Sequence, residues 1–178
     1  MMYSAIALIS EIHSNNIDGL EINSPGGLVT EGYTLGNYLA GQNPDLPIYI
    51  NYGDGCASAC ANAVAMSDNL HINGILAFHP PFIMELQTNV TLQEYGVFVS
   101  KAQYKMVEYF LEHGYSLDFL AIKFAVGTPQ RYMVITNADD LYAFRKSNPL
   151  MIVQRAADRY QIWNQQRLDQ YTGWNYWP

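Results

Sequence analysis

Two short apolar runs that each end in a glycine corner and then pass into a helix-forming stretch constrain this chain most. Ile17 to Asn23 leads into Pro25-Gly26-Gly27 and a stretch from Thr30 to Ala40. Ile48 to Tyr52 leads into Gly53-Asp54-Gly55 and a small-residue stretch from Ser58 to about Met66. Short apolar runs bounded by turn residues read as buried strands. Two further strand pieces are expected at Leu70–Ile72 and Ile75–Phe78, the second stopped by Pro80-Pro81. Helices are expected over residues 4–15, 30–40, 58–66, 91–112, 117–124, 137–144 and 151–168, with Thr30 and Thr136 as cap residues. Ile6, Ile9 and His13 should share the inner side of the first helix. Strands alternating with helices predict an α/β protein with mostly parallel strands.

The chain has 178 residues, one domain's worth, without a long linker or internal repeat. Residues 1–150 form the expected domain, and 151–178 a C-terminal helix and aromatic tail. Tyr171, Trp174, Tyr176 and Trp177 in that tail are expected to pack on the body or on a neighbouring subunit. Sixteen acidic residues against nine lysines and arginines, with no basic cluster, argue against nucleic-acid and anionic-membrane partners. No run approaches the roughly 18 apolar residues that a membrane span needs. The start has no basic segment before its apolar run, so the reading favours the cytoplasm over export. Charged residues make up only 14% while tyrosine occurs 14 times, which favours self-association.

Sites in parallel sheets form at the carboxyl ends of strands, where the two glycine corners lie. Ser58 stands at the second corner, between alanines and at the start of a helix, where an oxyanion is stabilised. Taken alone, it reads more simply as a helix cap. His79 leaves a buried strand at its carboxyl end and titrates near neutrality, as a general base must. Taken alone, it reads as a half-buried histidine bonded to backbone. His113 reads as a partner of a helix carboxyl end. Cys56 and Cys60 are too few for a zinc site, and are read as buried thiols in preference to a local disulfide.

The ordered set Glu21-Ile22-Asn23-Ser24-Pro25-Gly26-Gly27, Glu31-Gly32, Cys56-Ala57-Ser58-Ala59-Cys60 and Phe78-His79-Pro80 resembles the Clp protease proteolytic subunits. It is similar also to their signal-peptide-peptidase-like relatives, within the ClpP/crotonase-like superfamily. The resemblance covers roughly residues 5–145. It implies repeated strand-turn-helix units in a superhelical core, assembly into a homo-oligomer, and peptide or unfolded-protein substrates. The implied activity is that of an ATP-dependent-protease-like serine endopeptidase with no metal or organic cofactor. Ser58 falls on the family's nucleophile, His79 on its base, and Gly27 and Ala59 on its oxyanion-hole donors.

The chain departs from that pattern in two places. The family's third catalytic residue is an aspartate about fifty residues past the histidine, where this chain has Thr128. A threonine supplies no charge but can orient an imidazole; the alternatives are Asp139 or Asp140, further on, or no protein orienter at all. Only Met1 to Tyr3 precede the first helix, so the fold is expected to be short at its amino end, and docking to an ATPase ring is not expected. Some relatives use a lysine base from the long helix, which would fall on Lys101 or Lys105 if that lysine were buried. Two further classes stay open: an inactive peptide-binding scaffold of the same fold, and a crotonase-like acyl-coenzyme A enzyme.

Overall fold

The computed structural model describes residues 5–15, 17–81, 91–126, 130–146 and 159–174. The chain is α/β, with both parallel and antiparallel strand pairs. In chain order the elements are α1 (Ala5–Asn15), β1 (Leu20–Glu21), α2 (Val29–Gly41), β2 (Ile48–Ile50), β3 (Gly55–Ala57), α3 (Ala59–Val64), β4 (Leu70–Ile72) and β5 (Ile75–Phe78). There follow α4 (Leu92–Glu112), α5 (Leu117–Ala125), β6 (Arg131–Ile135), α6 (Ala138–Lys146), β7 (Gln161–Asn164) and α7 (Gln165–Thr172).

The strands form two sheets. β1, β2 and β4 pair in parallel in one, and β3, β5, β6 and β7 make the other. β3 and β5 are parallel, whereas β6 and β7 join antiparallel, so the expectation of mostly parallel strands holds for the first half of the chain only. Each apolar run crosses from the first sheet to the second. β2 continues through Asn51–Asp54 into β3, and β4 through Asn73-Gly74 into β5. β1 does the same on a smaller scale, because Ser24 bridges in parallel to Cys56 of β3. Gly74 is required at its crossing: Asn73 and Gly74 both donate to the Ile50 carbonyl at 2.8 Å, and a Cβ on Gly74 would collide with the Asn51 and Asp54 carbonyls.

β3 and β5 of the second sheet are buried on both faces, which is why β5 reads as an unbroken apolar run, whereas edge strand β7 buries only Trp163. Cys56, Leu76, Phe78, Met133 and Ile135 face the main core under the helices. The alternating residues Ala57, Ile75, Ala77, Tyr132 and Val134 face Trp163, Leu168 and Trp174. The tail expectation is met for Trp174, which packs on the body; Tyr176 and Trp177 lie outside the described residues.

The helices correct several expectations. In α1 the buried positions are Ala5 and Ile12, while Ile6 is exposed. Leu28 is the cap position of α2 and makes no side-chain cap bond, so Thr30 lies inside that helix. Gly55–Ala57 is a strand, not part of the turn. Ile135 ends a strand, and α6 is capped by Asn137, which accepts from the Asp140 N–H at 2.9 Å. Where it is described, the expected helix over 151–168 is a strand over Gln161–Asn164 and a helix only from Gln165. Short β-branched and aromatic segments switch state when a sheet edge is there to pair with, as β6 offers one to β7. α4 follows expectation and begins with a Thr91–Glu94 capping box. Among the described residues no helix is long and apolar enough to cross a membrane.

Candidate functional site

The site is built where β3 ends. Ser58 N–H donates to the Ala77 carbonyl at 2.9 Å, which holds the corner against β5. Its own carbonyl accepts from the Asn62 N–H at 3.0 Å and so starts α3. Between these anchors Ser58 has φ 58° and ψ −122°, the one positive-φ residue other than glycine among the described residues. Such a conformation costs a non-glycine residue of order 1–3 kcal/mol and persists only where its surroundings enforce it. A serine lifted out of line on a strained strand-to-helix turn is the geometry of a nucleophile elbow. The side chain makes no cap bond to α3, so the simpler role of helix cap does not apply.

The first glycine corner lies against this elbow. Ala57 N–H donates to the Ser24 carbonyl at 2.9 Å, and Ser24 N–H to the Gly55 carbonyl at 2.8 Å. Gly26 has φ 106°, and a Cβ there would sit 2.6 Å from the Ala57 carbonyl oxygen and 2.7 Å from the Ser58 Cβ. Gly26 is therefore glycine for two reasons, its dihedral and the space. Its N–H is taken by the Ser24 hydroxyl at 3.2 Å. The next amide, Gly27, and the first amide of α3, Ala59, donate to no backbone carbonyl among the described residues. Two corners 32 residues apart in sequence (26 to 58) thus meet where Gly26 lies against Ser58.

The small residues around Ser58 have a packing cause. α2 lies directly on α3: a Cβ on Gly32 would stand 2.5 Å from the Ala59 carbonyl oxygen. Ala59, Ala61 and Ala63 are all buried.

His79 follows the last residue of β5, the strand that pairs with β3 in the register Ala57↔Ala77. Ser58 and His79 accordingly leave neighbouring parallel strands at the same end. The imidazole is buried, and Tyr132 meets it edge-on at 5.2 Å. Its Nδ1 lies 2.6 Å from the Pro80 carbonyl oxygen. A carbonyl only accepts, so the proton of the neutral ring is on Nδ1 and the lone pair on Nε2. His79 titrates at about 4, lowered first by burial and then by the charge of Lys123, with the Pro80 bond opposing both.

Thr128, the expected orienter, lies outside the described residues, and the tautomer is held by the Pro80 carbonyl. Asp139 and Asp140 lie in the first turn of α6, where Asp140 bonds Asn137. Lys101 and Lys105 are exposed, which removes them as a buried lysine base. The buried lysine is Lys123 on α5, which sequence reasoning passed over. Its signal was present: it stands in Phe119-Leu120-Ala121-Ile122-Lys123-Phe124, an otherwise apolar stretch. His113 bonds the Tyr109 carbonyl at 2.7 Å and closes α4, as expected.

The reading of Cys56 and Cys60 as thiols is overturned, because the two form a disulfide. Cys56 belongs to β3 and Cys60 to α3, so the bond staples the strand to the helix across Ser58. The expectation rested on how often free cysteines are buried, whereas the turn from β3 into α3 brings the two side chains together. Among the described residues no cluster of metal-ligating side chains occurs. No protein-family model matches the chain, and no curated protein does.

Proposed function

We propose that the protein is a serine peptidase of the Clp-subunit and signal-peptide-peptidase-like type. The observation that carries this reading is Ser58, held at positive φ on a strand-to-helix turn against Gly26. The three apolar runs that cross between sheets before a helix support the finer fold, a ClpP/crotonase-like superhelical core.

In this reading Ser58 attacks the peptide carbonyl while His79 Nε2 takes its proton. The Gly27 and Ala59 N–H groups receive the oxyanion, an interaction worth several kcal/mol in comparable sites. His79 then protonates the leaving amine, and water releases the acyl group from Ser58. An extended substrate pairs beside Gly26-Gly27. The Pro80 carbonyl holds the tautomer of His79, the part a triad carboxylate plays, without a carboxylate's full charge. Val97, Tyr104 and Leu111, exposed at seven-residue spacing on α4, support a homo-oligomer.

A second reading is a catalytically inactive peptide-binding scaffold. The depth of His79 and its titration at about 4 favour it, since both make a weak base. A fluorophosphonate probe with adduct mapping decides between the two. Labelling of Ser58 that disappears in Ser58→Ala and His79→Ala supports the peptidase. Folded, assembled protein that takes no label leaves the scaffold.

A further inference from the structure

Lys123 is fully buried, and a buried ammonium is costly unless its donors are used. Its Nζ donates to Asn62 Oδ1 at 3.0 Å and to the backbone carbonyl of His79 at 3.0 Å. The rings of Phe78 and Phe110 lie 5.1 and 5.4 Å away and favour a cation there. Asn62 is one helical turn from Ser58 and donates its N–H to the Ser58 carbonyl at 3.0 Å. One ammonium therefore grips the turn that begins at Ser58 and the residue that carries the imidazole.

We infer that Lys123 is a positioning residue for the Ser58–His79 pair, bracketing α3 against the end of β5 through Asn62 and the His79 carbonyl. The inference rests on the peptidase reading of that pair. An apolar side chain of similar length would fill the space without a desolvation cost. It could not donate to Asn62 and His79 together. Asn62 itself is held from its other side, where the Tyr109 hydroxyl donates to its carbonyl at 3.3 Å.

The bracket also carries a field. The titratable groups that face His79 among the described residues are Lys123 from α5 and Tyr132 from β6. Those around Lys123 are His79 from β5 and Tyr109 from α4, the latter through Asn62. A positive charge beside an imidazole disfavours the imidazolium, so removing Lys123 raises the pH at which His79 titrates.

The test compares the full-length protein with Lys123→Met and Lys123→Arg. It reads the rate of Ser58 labelling by a fluorophosphonate across pH, the His79 ring titration by NMR, and thermal unfolding. Folded Lys123→Met should label about tenfold more slowly at neutral pH, as misplacement of reacting groups does. Its acid limb and its His79 midpoint should move up by about one pH unit. Lys123→Arg, which keeps charge and donors, should recover most of the rate. Folded Lys123→Met with wild-type rate and profile overturns the inference. If Lys123→Met does not fold, Asn62→Leu cuts only the α3 end of the bracket. Slower labelling with an unmoved His79 midpoint then supports the inference, and an unchanged rate overturns it. If the wild type takes no label, the peptidase reading falls and the NMR midpoints decide the contact alone. A rise in Lys123→Met keeps the hold of Lys123 on His79, and coincident midpoints overturn it.

Discussion

Ser58 and Gly26 share one small space, and each restricts what the other can be. Gly26→Ala adds a methyl 2.7 Å from the Ser58 Cβ at a left-handed φ of 106°. It should cost about 1–3 kcal/mol of stability and abolish Ser58 labelling, both measurable on one purified variant. Ser58 carries strain of its own, so Ser58→Gly should melt higher than Ser58→Ala by about 1 kcal/mol of stability, although both remove the hydroxyl. That ordering follows from the positive φ alone. The buried bases give pH dependence a definite sign. His79 falls from 6.5 unfolded to about 4 folded, so the unfolded chain binds the extra proton between those values. Its contribution is therefore complete above pH 6.5 and is lost as pH falls towards 4. Lys123 falls from 10.5 to about 7, so by the same linkage its contribution grows as pH rises from 7 to 10.5. Lys123→Met should flatten the stability profile between pH 7 and 10.5, where one proton is worth at most about 1.4 kcal/mol per pH unit. Denaturant unfolding at stepped pH reads this directly.

Among the elements, the turn from β3 to α3 does the most with the least length. Its disulfide closes a five-residue loop, from Cys56 to Cys60. Reduction should lower stability by about 2 kcal/mol on the chain-entropy account, read as a drop in melting temperature with a dithiol reductant. The Ala65 carbonyl at the end of α3 is served from further along the chain: the hydroxyl of Tyr115, in the connection between α4 and α5, donates to it at 2.6 Å. Part of the unusual tyrosine content therefore seals one short helix in the core. β7 adds the edge strand of the second sheet, and Leu168 of α7 with Trp174 packs on its outer face. Trp174 reaches back to the first corner, where its indole N–H donates to Asn23 Oδ1 at 3.0 Å. Trp174→Ala should cost about 3–5 kcal/mol and loosen that corner. β1, β2, β4 and β5 were legible because each is an apolar run ended by Gly or Pro. β3 was not, because Gly55–Ala57 reads as the continuation of a glycine turn. Nor were β6 and β7: the segment through Ile135 and that through Trp163 alternate too little to exclude a helix, and only the pairing of β6 with β5 and of β7 with β6 settles them.

At the scale of the molecule, the low charge noted in the sequence has a visible counterpart on α4. Val97, Phe98, Tyr104 and Leu111 are exposed there, Phe98 by 65% and Tyr104 by 64%. Such a stripe on a helix is the surface through which the proposed homo-oligomer would form. Light scattering on the eluted protein should give a mass above the monomer's 20.1 kDa, and Val97→Glu with Tyr104→Glu should return it towards that value.

By itself the sequence determined the alternation of strand, glycine corner and helix, and with it the α/β class and the placement of Ser58 and His79 at strand ends. These are local properties, written in periodicity, turn chemistry and dihedral permission. Tertiary structure alone decided that Gly26 meets Ser58, that Cys56 bonds Cys60, that β6 and β7 complete the sheet, and that Lys123 lies beneath the site. Each depends on which distant segments exclude water together. Burial, not residue type, makes Lys123 a buried bracket and leaves Lys101 and Lys105 in solvent.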